Sequence, residues 1–107
     1  MSRGDDQRVA DILDAARELA DVTLVGHESF RRSPLHTRAA ERLLEIIGEA
    51  STSLSDEFKL QHSEVPWRDI SALRILLAHR YHRIDVDQVW QIATGAVPAL
   101  AERLSRR

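Results

Sequence analysis

The stretch SPLHTRAAERLLEIIGEA, Ser33 to Ala50, decides the fold class. Ser33-Pro34 reads as a cap followed by a first-turn proline: the hydroxyl accepts from an orphan amide, and proline has no amide to leave unpaired. Ala40, Leu43, Leu44, Ile47, Ala50 and Leu54 then recur mostly at steps of three and four. That is the period of a helix with one buried face, and it predicts a helix from Pro34 to about Leu54. Gly48 interrupts the stripe. A glycine inside a helix costs up to about 1 kcal/mol against alanine, so Gly48 marks a close crossing with another helix.

The same period runs outward in both directions. Val9, Ile12, Leu13, Ala16, Leu19 and Ala20 predict a first helix over about residues 5–25, with Asp5 and Asp6 at its positive end and Gly26 as a stop. The carboxylates along this segment alternate with arginines, which suits a wet face. Residues 51–65 are polar and broken, with one helical turn expected near Asp56 to Leu60. Pro66 opens a third helix to about residue 82, burying Ile70, Leu73, Leu77 and Ile84. Asp85-Val86-Asp87-Gln88 has capping-box spacing. It opens a fourth helix to about residue 105, with Val86, Val89, Trp90, Ala93, Val97, Leu100 and Leu104 inward and bends at Gly95 and Pro98. Four amphipathic helices on short connections predict an antiparallel four-helix bundle, with room for one short extra helix.

Composition narrows the function. With 107 residues, one domain spanning 1–107 is expected. Only 4 Gly and 3 Pro are too few for a barrel of short strands. The absence of Cys excludes disulfides, thiolate metal sites and Cys nucleophiles. No apolar run has the length of a membrane span, and no signal-peptide core follows Met1, so a cytoplasmic location is expected. A net charge of −2 disfavours a general nucleic-acid coat, so any polyanion site must be a local patch. His27, His36 and His62 stand apart from one another and read as surface or interface histidines.

One such patch exists. In Arg74-Ile75-Leu76-Leu77-Ala78-His79-Arg80-Tyr81-His82-Arg83, half the residues are Arg or His. On a helix at about 100° per residue, Arg74 and Tyr81 nearly eclipse, whereas His79 falls about 140° from Arg74. The two can flank a groove that a second surface, or a second copy of the helix, closes. Arg offers a forked, permanent charge that fits a phosphate, and His takes or gives a proton near neutrality. The pair can therefore cleave RNA without a metal. The 2′-hydroxyl attacks phosphorus while Arg74 holds the charge on the phosphoryl oxygens. Tyr81 adds a ring for stacking on a base. Two other readings stay open: an Arg-rich amphipathic helix with surface histidines, and a zinc site from His79, His82 and Asp85, which lacks a fourth ligand at a recognised spacing.

A wider pattern surrounds the patch. Ile46-Ile47-Gly48-Glu49-Ala50, Val65-Pro66-Trp67-Arg68-Asp69-Ile70, Arg74 through Tyr81, Ile84-Asp85, Val89-Trp90 and Val97-Pro98-Ala99-Leu100 follow in the order and approximate spacing of HepT-like proteins. Over roughly residues 5 to 104 the chain resembles this family of the HEPN superfamily, whose signature R-x-x-x-x-H-x-Y is met by Arg74, His79 and Tyr81. The resemblance implies an all-α HEPN bundle and a homodimer whose two motif helices meet across a cleft. It implies the toxin of a toxin–antitoxin pair, a metal-independent endoribonuclease with Arg74 and His79 catalytic and no cofactor. It also implies an MntA-type nucleotidyltransferase antitoxin as partner, which silences the toxin by transferring AMP to Tyr81. Arg80, His82 and Arg83 are then expected to bind RNA.

Two positions depart from the family pattern. Ile75 stands where a polar residue, commonly Asn, is usual, and Arg80 replaces a common acidic residue. Isoleucine cannot hydrogen-bond to His79 one turn on. A catalytically degenerate HEPN dimer that binds a nucleotidyltransferase or RNA is therefore the alternative expectation.

Overall fold

The computed structural model describes residues 3–78 and 85–106. These form α1 (Arg3–Thr23), α2 (His27–Arg32), α3 (Pro34–Thr52), α4 (Asp56–Gln61), α5 (Trp67–Ala78), α6 (Val86–Gln91), a π-helical turn (Ile92–Ala96) and α7 (Val97–Ser105), with no strand among the described residues. The all-α bundle is as expected. Its extents of 41 × 27 × 21 Å match one long helix by about two helix diameters.

Contacts at the two ends fix the direction of each helix. Asp5 at the start of α1 accepts from Ser55, just past the end of α3. Gly48 of α3 abuts the backbone of α5 at Arg74. Arg103 near the end of α7 pairs with Glu64, just before α5. At the opposite end, His27 of α2 meets Asp87 and Trp90 of α6. The long helices therefore alternate up and down, and α3 is central, packed most heavily on α1 and α5.

The core is the set of predicted stripes with small changes. Val9, Ile12, Leu19, Phe30, Ala40, Leu44, Ile47, Leu77 and Leu104 are almost wholly buried. Ala20, read as inward, is exposed, and Ala15, which the stripe omitted, is buried. Leu54 is buried as predicted, but in the turn after α3 rather than on the helix. Asp5 corrects the wet-face reading of the first helix. It is 3% exposed and accepts from the Ser55 amide at 2.8 Å and the Ser55 hydroxyl at 2.7 Å. Ser55 Oγ in turn caps α4 by accepting from the Phe58 amide at 3.1 Å.

Three local features were read incompletely. α1 stops at Thr23, and Gly26 is the N-cap of the extra helix α2, at φ 90° and ψ 160°. That backbone is essentially reserved for glycine. The turn expected at 56–60 is the second short helix, α4. The fourth predicted helix is real, but its bend is a π-helical turn, closed by the Val97 amide donating to the Ile92 carbonyl five residues back. Pro98 supplies the reason. It has no amide, and its ring crowds the carbonyl four residues earlier; one wider turn relieves both. Among the described residues no helix is long and apolar enough to cross a membrane.

Candidate active site

Arg74 sits in the last two turns of α5, with its side chain exposed. Ile70 and Leu77, four residues before it and three after, are buried at 9% and 2% exposure, so Arg74 stands at the edge of the buried face, about 40–60° from them, and its long side chain reaches solvent. Its backbone is held closely. A Cβ added to Gly48 would lie 2.8 Å from the Arg74 amide nitrogen, 3.3 Å from the Ile70 carbonyl oxygen and 3.3 Å from Leu73 Cβ. The crossing predicted from Gly48 is therefore centred on the motif arginine. Ile75, beside it, is 57% exposed, unusual for a large apolar side chain in the middle of a helix.

His79, Arg80, Tyr81, His82 and Arg83, and the predicted core residue Ile84, lie outside the described residues, so of the predicted catalytic, modification and RNA-binding residues only Arg74 has a described position. Asp85, the third member of the zinc reading, is exposed, and its Oδ1 accepts from the Asp87 amide at 2.9 Å as the cap of α6. Among the described residues no group of three His, Asp or Glu could hold a metal ion. His27, His36 and His62 are spread over α2, α3 and the end of α4. They pair respectively with Asp87, the Ser33 hydroxyl and the ring of Phe58.

The structure adds a groove that the stripes did not reveal. α5 makes little direct contact with α6, the π-helical turn and α7, and a groove of about 700 Å³ lies between them. Ile70 and Leu73 form one wall, Ile92, Ala96 and Leu100 the other. Leu73 precedes Arg74, so the groove runs beside the motif arginine. The signal was present in the sequence. Ile92, Ala96 and Ala99 make a second apolar stripe at i, i+4 and i+7, next to the inward one. One end of the groove is closed by the Glu64–Arg103 ion pair. The Arg103 hydrogen bond, with the Glu64 backbone amide and the nearby charges of Arg103 and His62, holds the Glu64 carboxyl below its ordinary range. The same bond raises Arg103.

Comparison with known proteins now bears on this site. A family model described as HepT-like, Ribonuclease HepT-like, matches residues 12–107. The chain belongs to the HepT-like ribonuclease family. Within the curated relatives, "Probable ribonuclease HepT" of Thermococcus cleftensis is 32% identical over 107 residues, covering 99% of this chain and 97% of the relative. "Putative RNase MJ1380" of Methanocaldococcus jannaschii is 33% identical over 95 residues, 88% of this chain and 87% of the relative. "Putative RNase TTE0752" of Caldanaerobacter subterraneus subsp. tengcongensis is 38% identical over 80 residues, 75% and 71% of the two chains. No solved structure matches the chain. Family membership agrees with the resemblance carried by Gly48, Pro66-Trp67-Arg68 and the Arg74–Tyr81 motif.

Proposed function

We propose that this chain is a metal-independent endoribonuclease acting as the toxin of a toxin–antitoxin pair, with Arg74 and His79 as its catalytic residues. The observation that carries the reading is the HepT-like match over residues 12–107, which spans the motif. The exposed Arg74 supports it by offering a guanidinium to a phosphate from a backbone held against Gly48. In the proposed reaction His79 takes the proton of the ribose 2′-hydroxyl, and the oxygen attacks the adjacent phosphorus. Arg74 stabilises the charge gathering on the non-bridging oxygens. The 5′-oxygen leaves with a proton, and the products are a 2′,3′-cyclic phosphate and a 5′-hydroxyl.

The active unit in this reading is a homodimer. On the helical spacing of the sequence Arg74 and His79 are expected about 140° apart, so one helix would not aim both at one phosphate. The groove beside Arg74 and the exposed Ile75 give the motif helix an apolar surface that this chain leaves uncovered, which suits a second copy. Arg80, His82 and Arg83 are assigned to RNA binding. An MntA-type nucleotidyltransferase is the proposed antitoxin, transferring AMP from ATP to the Tyr81 hydroxyl with loss of pyrophosphate. The added phosphodiester would compete with RNA for the Arg74 guanidinium.

The exposed, apolar Ile75 favours a second reading, a HEPN dimer that has lost cleavage and retains binding. Purified protein incubated with RNA separates the two. Cleavage in chelator that is lost in Arg74→Ala supports the enzyme. RNA binding without cleavage supports the second reading.

A further inference from the structure

The motif segment 79–84 joins two anchors. On one side α5 is fixed at Arg74 by the Gly48 crossing. On the other side the chain resumes at Asp85 and enters α6. This second anchor has little hydrophobic hold of its own. α6 is the first six residues of the helix that continues through the π-helical turn into α7, and these six fully bury only Val89; the facing helix α2 is six residues long and fully buries only Phe30. Elements with so few buried contacts open locally unless something else ties them down.

The tie is a set of contacts between these two helices. His27 Nε2 lies 3.0 Å from Asp87 Oδ1, and Arg31 Nε forms an ion pair with the same oxygen at 3.1 Å. The His27 ring stacks on the Trp90 indole, with centroids 5.0 Å apart and planes 14° from parallel. Phe30 packs against the other side of the join, 5.2 Å from Trp90. Arg31 is itself steadied by Glu28 at 3.3 Å. Two basic side chains on adjacent turns of α2 thus converge on one carboxylate in the first turn of α6, a place where negative charge also suits the helix dipole.

We propose that His27, Arg31 and Asp87 form a clamp that fixes the start of α6 and thereby positions the motif segment between Ala78 and Asp85. His27 and Asp87 are then positioning residues for the cleavage proposed above, and in that respect the inference rests on the ribonuclease reading. They act through the backbone at Asp85 and do not touch RNA. The clamp requires a donor at the place of His27 Nε2, which a glutamine amide can supply.

The test compares His27→Ala, Asp87→Ala and His27→Gln with the wild type, using Asp14→Asn as a control that loses an exposed pair of the same kind on α1. Amide hydrogen exchange is read at residues 79–90, and RNA cleavage is resolved into kcat and KM. His27→Ala loses one exposed pair and the ring stack, and Asp87→Ala loses two exposed pairs; each predicts exchange at 79–90 faster by roughly 3- to 10-fold, with a similar fall in kcat and an unchanged KM. His27→Gln restores most of both, and Asp14→Asn changes neither. If Asp87→Ala fails to fold, His27→Ala carries the comparison. Unchanged exchange at 79–90 in the alanine variants overturns the proposal. Faster exchange with unchanged kcat also overturns it, because the clamp then holds α6 without positioning the motif. A wild type that does not cleave RNA overturns the ribonuclease reading instead, and exchange at 79–84 then decides the clamp alone.

Discussion

Gly48→Ala places one methyl group 2.8 Å from the Arg74 amide nitrogen, against backbone rather than a movable side-chain tip. Ordinary contact begins near 3.5 Å, so α5 must back away from α3 by roughly 0.7 Å at the motif arginine. The Ile70 carbonyl and Leu73 Cβ, both at 3.3 Å, block a sideways escape. Overpacking of this kind costs about 1–3 kcal/mol. Alanine returns up to about 1 kcal/mol through helix propensity. Because the blocking atoms are mainly backbone, the upper part of that range applies, and the net expectation is a loss of about 1–2 kcal/mol. For a domain of this size that lowers Tm by roughly 5–12 °C. Thermal unfolding followed by far-UV circular dichroism measures it. Gly26→Ala is the informative companion. There is open space around Gly26 but φ is +90°, so its cost of about 1–3 kcal/mol comes from the backbone alone. If Gly48→Ala melts at or above the wild-type temperature, propensity outweighs sterics and the close α3–α5 crossing is refuted.

Asp5→Ala removes the acceptor for the Ser55 amide and hydroxyl and is expected to cost about 2–4 kcal/mol, read by denaturant unfolding. A cost below about 0.5 kcal/mol, typical of surface sites, would show the carboxylate is solvated after all. Because Arg103 holds Glu64 low, that pair stabilises the fold above the unfolded-state carboxylate range, and the contribution is lost as pH falls through the lowered value. Arg103→Ala should therefore move the Glu64 carboxyl upward in an NMR titration, and an unmoved Glu64 contradicts the pairing. Co-expression with the cognate nucleotidyltransferase is expected to add one or more AMP masses to the peptide containing Tyr81. Silencing with Tyr81 unmodified would point to steric inhibition.

Much of the fold was legible because helices announce themselves locally. The Ser33-Pro34 cap, the Ala40–Ala50 stripe and the glycine at its centre were enough to place α3 and its crossing. What escaped depends on pairs distant in sequence. Asp5 looks like any first-turn carboxylate until Ser55 is brought to it. His27 and Asp87 are 60 residues apart and carry no shared motif. The π-helical turn was signalled only as a bend, because Gly95 and Pro98 show that a helix must yield and not how. The groove was overlooked for a different reason: the inward stripe of α6 and α7 was read alone, and the neighbouring Ile92–Ala96–Ala99 stripe was left unread. The chemistry of the site was legible only as residue types and spacing on one helix, of which Arg74 now has a described setting.

The most direct test of the ribonuclease assignment is cleavage of an RNA substrate by purified protein in excess chelator, with wild type, Arg74→Ala and His79→Ala run side by side and product ends identified. The wild type should cut in chelator and leave 2′,3′-cyclic phosphates. Arg74→Ala should lose about 10²–10³ in rate if its role matches that of an oxyanion-stabilising donor, and His79→Ala should lose all measurable cleavage while keeping its helical spectrum. Cleavage that requires a divalent metal, or that survives His79→Ala, would contradict the account and move the chemistry to other residues.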